Sequence, residues 1–141
     1  MANEFEYCTV ASELGVREAV SRAIEHLKTL GLQEEQAGNV EIALSEAANN
    51  VVEHAYAGML PGEVCITGRL LQGILSIEIR DEGAPLPSGK LPEGKPADLS
   101  CAFEDLPEGG FGWFLIRSLT ETVDYDRIEG VNTLSLRFNL A

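Results

Sequence analysis

Apolar positions Val16, Val20, Ala23, Leu27 and Leu30 recur at steps of three and four, the period of an amphipathic helix. Ser12 stands where its hydroxyl can cap the first turn, and Gly31 where the helix can end. A second stripe, Val40, Ala43 or Leu44, Ala47, Val51 and Ala55, predicts a helix over roughly Glu34 to Tyr56, and Pro61-Gly62 stops it. Ahead of both helices, alternating Phe5, Tyr7 and Thr9 predict a short strand.

After Pro61 the period changes to two. EVCITGRLL and ILSIEIRD read as strands of a hairpin turning at Gln72-Gly73. Residues 84 to 108 hold five of the six prolines together with Gly89 and Gly94, and have little periodicity. A connection of that length in a small domain is a functional lid or a disordered segment. GWFLIRSL then predicts a short helix behind a glycine cluster. TVDYDRIEGVNTLSLRFNL predicts a last hairpin turning at Glu129-Gly130, with Leu134, Leu136, Phe138 and Leu140 on one face. The order β, α, α, β, β, loop, α, β, β predicts an α+β fold: a two-layer α/β sandwich whose mixed, mostly antiparallel sheet carries its helices on one face. The 141 residues fit one domain, with the lid at about 84 to 108.

Composition narrows the function. Ten Lys and Arg against twenty-three Asp and Glu give a net charge of −13, which repels phosphate backbones and argues against direct nucleic-acid binding. No 18-residue apolar run occurs, and MANEFEYCTV lacks the basic and apolar parts of a secretory signal, so a cytoplasmic protein without a membrane span is expected. Cys8, Cys65 and Cys101 are odd in number and unclustered, and reduced, structural thiols are expected.

Three segments carry candidate chemistry. On the second helix Glu46, Asn50 and His54 lie four residues apart and form one polar ridge beside Ala47, Val51 and Ala55. Asn is a poor helix former, so the adjacent pair Asn49 and Asn50 points to a demand other than helix stability; read alone, the ridge is equally a solvated face. In IRDEGAPLP, Asp81 at the end of a core strand can accept a hydrogen bond from an exocyclic amine such as that of adenine. Gly83 there lets a flat ring approach the backbone, and the plain alternative is a turn. In EGGFGWFLIRSL, Gly109, Gly110 and Gly112 precede a helix, where bare N–H groups can hold phosphates, or form a lid hinge; neither GxxxxGK[ST] nor GxGxxG is present. Together the three supply parts of one ligand. Asp81 and Gly83 take adenine, the glycines take phosphates, Asn50 takes Mg²⁺ and Glu46 faces the terminal phosphate, with Lys90 or Lys95 adding positive charge.

SEAANNVVEHAY, RDEGAPLP and EGGFGWFLIRSLTETVDY, followed by GVNTLSLRF, resemble the boxes of the ATP-binding domains of the gyrase, heat-shock chaperone, histidine-kinase and mismatch-repair superfamily, which share the Bergerat fold. Within it the chain looks like the bacterial anti-sigma factor serine kinases, over about residues 5 to 140. The resemblance implies that Glu46 is a general base or water-orienting carboxylate, Asn50 the Mg²⁺ ligand and Asp81 the adenine-reading carboxylate. By the same resemblance Gly83 lines the base, Gly110 and Gly112 approach the phosphates, and residues 84 to 108 form the ATP lid. Asn49 receives no role, and His54 takes a place where several members have a basic residue. Pro85 replaces a glycine common in the superfamily, which bears on lid mobility and nucleotide exchange.

The implied activity is transfer of the γ-phosphoryl of Mg·ATP to a serine of a STAS-type anti-anti-sigma protein by a homodimer that also sequesters a sigma factor. Two alternatives remain open at this point: a nucleotide-gated module without turnover, and a switch kinase acting on a STAS scaffold without touching a sigma factor. A histidine-kinase catalytic domain is disfavoured, because 141 residues leave no room for a dimerisation helix pair and His26 lacks a supporting context.

Overall fold

The computed structural model describes residues 3–58, 60–86, 89, 91 and 110–141. Most of the expected lid, with Lys90 and Lys95, as well as Gly109 and Cys101, lies outside the described residues. Among the described residues eight elements follow one another: β1 (Glu4–Val10), α1 (Glu13–Thr29), α2 (Glu34–His54), β2 (Glu63–Leu71), β3 (Ile74–Asp81), α3 (Gly110–Leu119), β4 (Thr122–Ile128) and β5 (Val131–Asn139).

Local chemistry sets the boundaries. The Ser12 hydroxyl accepts from the Gly15 amide at 3.0 Å and caps α1, and Gly31 follows that helix with φ 104°. At the start of α2 the Gln36 side chain accepts from the Gln33 amide at 3.1 Å. Both sequence-expected hairpins form as two-residue turns with positive φ at each central residue: 52° and 79° at Gln72-Gly73, 50° and 82° at Glu129-Gly130.

The strands form one sheet in the order β1-β2-β3-β5-β4, and every pairing among the described strands is antiparallel. The helices pack on one face, with α2 touching both α1 and α3. Val16, Val20, Ala23 and Leu27 of α1, Val40, Leu44 and Ala47 of α2, and Trp113 and Ile116 of α3 are buried against the inner face of the sheet. That face is built by period-two alternation: Val64 and Ile66 on β2, Leu75, Ile77 and Ile79 on β3, and Leu134, Leu136 and Phe138 on β5 are all buried. At one end both central rows change character. The β3 row ends in Asp81 and the β5 row begins with Asn132; both are buried, and they are direct partners across the ladder.

The cysteine expectation is corrected on the opposite face. Cys8 and Cys65 are direct partners across β1 and β2, with Cα atoms 4.0 Å apart, and form a disulfide with S–S 2.13 Å. They stand 57 positions apart in sequence, so only the strand register brings them together. Among the described residues no helix is long and apolar enough to cross a membrane.

Candidate nucleotide-binding site

The polar ridge of α2 borders the edge of the core. Asn50 is buried, and its Nδ2 donates to the Glu46 carbonyl at 2.9 Å. A carbonyl only accepts, so this bond fixes the amide orientation and leaves Oδ1 as the outward oxygen. Asn49, one residue back, is exposed and lies with Glu41, Ser45 and Arg17 in the groove between α1 and α2. The two asparagines therefore serve different surfaces.

The first turn of α3 crosses the same ridge. A Cβ on Gly112 would stand 2.9 Å from Glu46 Oε2 and 3.8 Å from Asn50 Nδ2, so a glycine there lets α3 begin directly over these two groups. Glu46 thus sits beside the N-terminal turn of α3, where backbone N–H groups are free of helical partners. Gly110 opens α3. His54, one turn beyond Asn50, is exposed, with Nε2 4.0 Å from Glu53.

The second part of the site lies where β3 leaves the sheet. Asp81 Oδ1 accepts from the Gly83 amide and from Asn132 Nδ2, each at 2.8 Å. Among the described residues no donor reaches Oδ2. Asn132 Nδ2 also lies 3.2 Å from the Gly83 carbonyl and 3.0 Å from that of Ala84. Its Oδ1 accepts from the Tyr125 hydroxyl at 2.6 Å and from Arg127 Nη1 at 2.8 Å. Arg127 Nη1 donates at 2.8 Å to the Gly83 carbonyl as well, and the Leu86 amide donates to the Tyr125 hydroxyl at 3.1 Å.

The same segment is pinned from the other side. Ala84 N donates to the Ala55 carbonyl at 2.6 Å, and a Cβ on Gly83 would overlap that carbonyl, so the bare Cα is needed for packing against the end of α2. The Tyr56 hydroxyl accepts from the Glu82 amide at 2.9 Å and donates to the Glu63 carbonyl at 3.0 Å. Burial, with the negative charges of Asp81, Glu82 and Glu63 in support and the Glu82 amide opposing, raises its pKa above the ordinary tyrosine value.

A cavity of about 30 Å³ joins the two parts, with Asn50, His54, Asp81 and Asn132 among its polar lining and Trp113 and Leu86 among its apolar walls. That is room for two or three waters, and Pro85 is a further apolar wall. The structure thus brings Asn50, His54 and Asp81 onto one cavity, with Glu46 and Gly112 beside Asn50 and Gly83 behind Asp81. Asn132, Tyr125, Arg127 and Trp113 escaped the sequence reading. A signal existed for Asn132: stepping back two residues along the row of Leu134, Leu136 and Phe138 places an amide on a core-facing position.

The layered fold is that of an ATPase domain, as comparison with known proteins shows. Residues 15–138 match the family described as the histidine kinase-like ATPase domain. The serine-protein kinase RsbW of Bacillus thuringiensis is 32% identical over 110 residues, which are 77% of this chain and 68% of the relative. A solved structure of the RsbU and RsbW domains of a Mycobacterium tuberculosis protein superposes with TM-score 0.67 at 18% identity, covering 97% of this chain and 32% of that one. The histidine kinase domain of a blue-light activated histidine kinase from Erythrobacter litoralis gives TM-score 0.57 at 19% identity, covering 91% of this chain and 60% of that one. At those identities the two structures speak to the fold alone, and this chain spans less than two thirds of either. The chain belongs to the histidine kinase-like ATPase domain family and, within it, to the anti-sigma factor serine kinases. Membership of a kinase-like ATPase family makes ATP the ligand of the domain.

Proposed function

We propose that the protein transfers the γ-phosphoryl of ATP to a serine of a STAS-type anti-anti-sigma protein, and that in the cytoplasm it acts as a homodimer that also holds a sigma factor. The observation that carries the reading is the convergence of Glu46, Asn50 and Gly112 at one end of a cavity whose other end presents the buried carboxylate of Asp81. The partner assignment is supported by the similarity to RsbW and by a net charge of −13, which suits partners other than nucleic acid.

The donor set fits a hard divalent cation. Asn50 offers an amide oxygen whose orientation is fixed by the bond to the Glu46 carbonyl, and one or two protein oxygens suffice for Mg²⁺ that also binds phosphates and water. Bound there, Mg²⁺ would supply neutralisation of the charge on the phosphates. The chain's own groups do the rest. Asp81 Oδ2 accepts from the exocyclic amine of the base, Gly83 holds that carboxylate from behind through its amide rather than lining the base itself, and the N–H groups of Gly110 and Gly112 meet the phosphates. The Glu46 carboxylate orients the incoming serine hydroxyl by accepting its hydrogen, which sets the oxygen in line for attack; phosphoryl transfer asks mainly for such positioning. His54, at the rim, adds a hydrogen-bond donor towards the phosphates.

The test is transfer of label from γ-labelled ATP to a serine of a STAS partner. Label on that serine with the wild type, and much slower labelling with Glu46→Gln, is the expected result. Wild type that binds Mg·ATP and labels nothing overturns the kinase reading.

A further inference from the structure

We propose that Asn132 is a positioning residue for nucleotide selectivity: it holds the Asp81 carboxylate so that Oδ2 alone faces the cavity, which commits the site to bases carrying an exocyclic amine. The inference rests on the reading that Asp81 takes the base.

Asp81 and Asn132 are register partners on β3 and β5, and both are buried, at 5% and 4% exposure. A carboxylate has two equivalent oxygens and can turn about its last torsion, so an unheld one presents no defined acceptor. Here Oδ1 is saturated by two donors, the Gly83 amide and Asn132 Nδ2. The orientation of Asn132 is imposed in turn. Arg127 can only donate, and the Tyr125 hydroxyl, which already accepts from the Leu86 amide, has its proton left for Asn132 Oδ1. With two donors at its oxygen, the amide must turn its nitrogen to Asp81. A flipped amide would set its oxygen against a carboxylate and its nitrogen against Arg127.

The chain of donors therefore runs from the edge strand β4 through β5 to the base. An amine at the purine 6-position meets an acceptor at Oδ2, whereas a carbonyl in that place would set two acceptors face to face, and a base without either group would leave Oδ2 desolvated and unpaired.

The test compares the affinity of ATP with that of purine riboside triphosphate, which lacks only the 6-amine, at saturating Mg²⁺. Wild type should prefer ATP by about tenfold or more, the usual weight of a hydrogen bond to a charged group. Asn132→Leu should bring the ratio close to one, and Arg127→Met, on an exposed side chain, should shrink it severalfold. An equal loss of affinity for both nucleotides, with the wild-type ratio kept in both variants, is what a merely structural role would give and overturns the proposal. If Asn132→Leu does not fold, the ratio in Arg127→Met decides. A wild type without preference overturns the assignment of the base to Asp81 itself, so the two failures are told apart.

Discussion

The two ends of the cavity are built on opposite plans. At the base end Asp81 Oδ1, both polar atoms of Asn132 and the Gly83 carbonyl are all engaged in hydrogen bonds, and three strands contribute. At the phosphate end one helix contributes Glu46 and Asn50, and the single hydrogen bond between them runs from a side chain to a carbonyl of the same helix. Buried polar groups bound to each other are rigid and specific. Oxygens left outward are available to a ligand that brings its own charge. The contrast matches the chemistry asked of each end: a neutral flat base is recognised by a fixed pattern, whereas a mobile phosphate chain and its cation need open ligands.

The largest break in that comparison is expected at the phosphate end. Asn50→Ala removes the oriented oxygen, and affinity for Mg·ATP should fall by up to about a hundredfold, the scale seen when metal sites lose a supporting group. The loss should be tied to the cation, so that titrations in excess chelator give the same ATP affinity for variant and wild type. A variant equally impaired without Mg²⁺ would move Asn50 from ligand to framework.

Glu46→Gln keeps the shape and removes the charge. Transfer should slow by about 10²- to 10⁴-fold, the range for a positioned acid–base group, with nucleotide affinity nearly unchanged. Gly112→Ala, whose new Cβ would meet Glu46 Oε2 at 2.9 Å, should slow transfer too, and should add little in a Glu46→Gln background because both act on one carboxylate. At the base end the expected effect is smaller. Asp81→Asn substitutes a donor for an acceptor at one oxygen, and ATP affinity should drop by about ten- to a hundredfold whether or not Mg²⁺ is present. Unchanged affinity would remove Asp81 from base reading.

These two ends also differ in how much of them could be read in the sequence. Glu46 and Asn50 share one helix, and a spacing of four makes neighbours without knowledge of the fold; the same periodicity separates Asn50, on the core side, from exposed Asn49. Asp81 was visible as an acid ending an apolar strand. Its partner was not, because Asn132 lies 51 residues on and meets it only through the pairing of β3 with β5. The disulfide between Cys8 and Cys65 was missed for the same reason, since its logic is the register of β1 on β2. Elements, hairpin turns and the α2 ridge follow from local period and turn chemistry. Cross-strand pairs are set by which edges meet, which no local pattern carries.

The smallest effect, and the one that isolates the base-end framework, is expected from Tyr56→Phe. The hydroxyl ties the Glu82 amide to the Glu63 carbonyl, holding the exit of β3 to the entry of β2. Its loss should cost about 1–2 kcal/mol of stability, read by denaturant unfolding, and should leave the Mg²⁺ dependence of ATP binding as it is. The pH dependence has a definite sign. Because the folded-state pKa is raised above the ordinary value of 10.0, the folded protein keeps this proton more tightly than the unfolded chain does. The stabilisation is therefore fully present below pH 10 and fades as pH rises through the folded-state value. The stability gap between wild type and Tyr56→Phe should be flat from neutrality to about pH 9 and narrow above it. A gap that widened in alkali would mean that the hydroxyl ionises more readily in the fold, and that the tie between β2 and β3 is made by the phenolate instead.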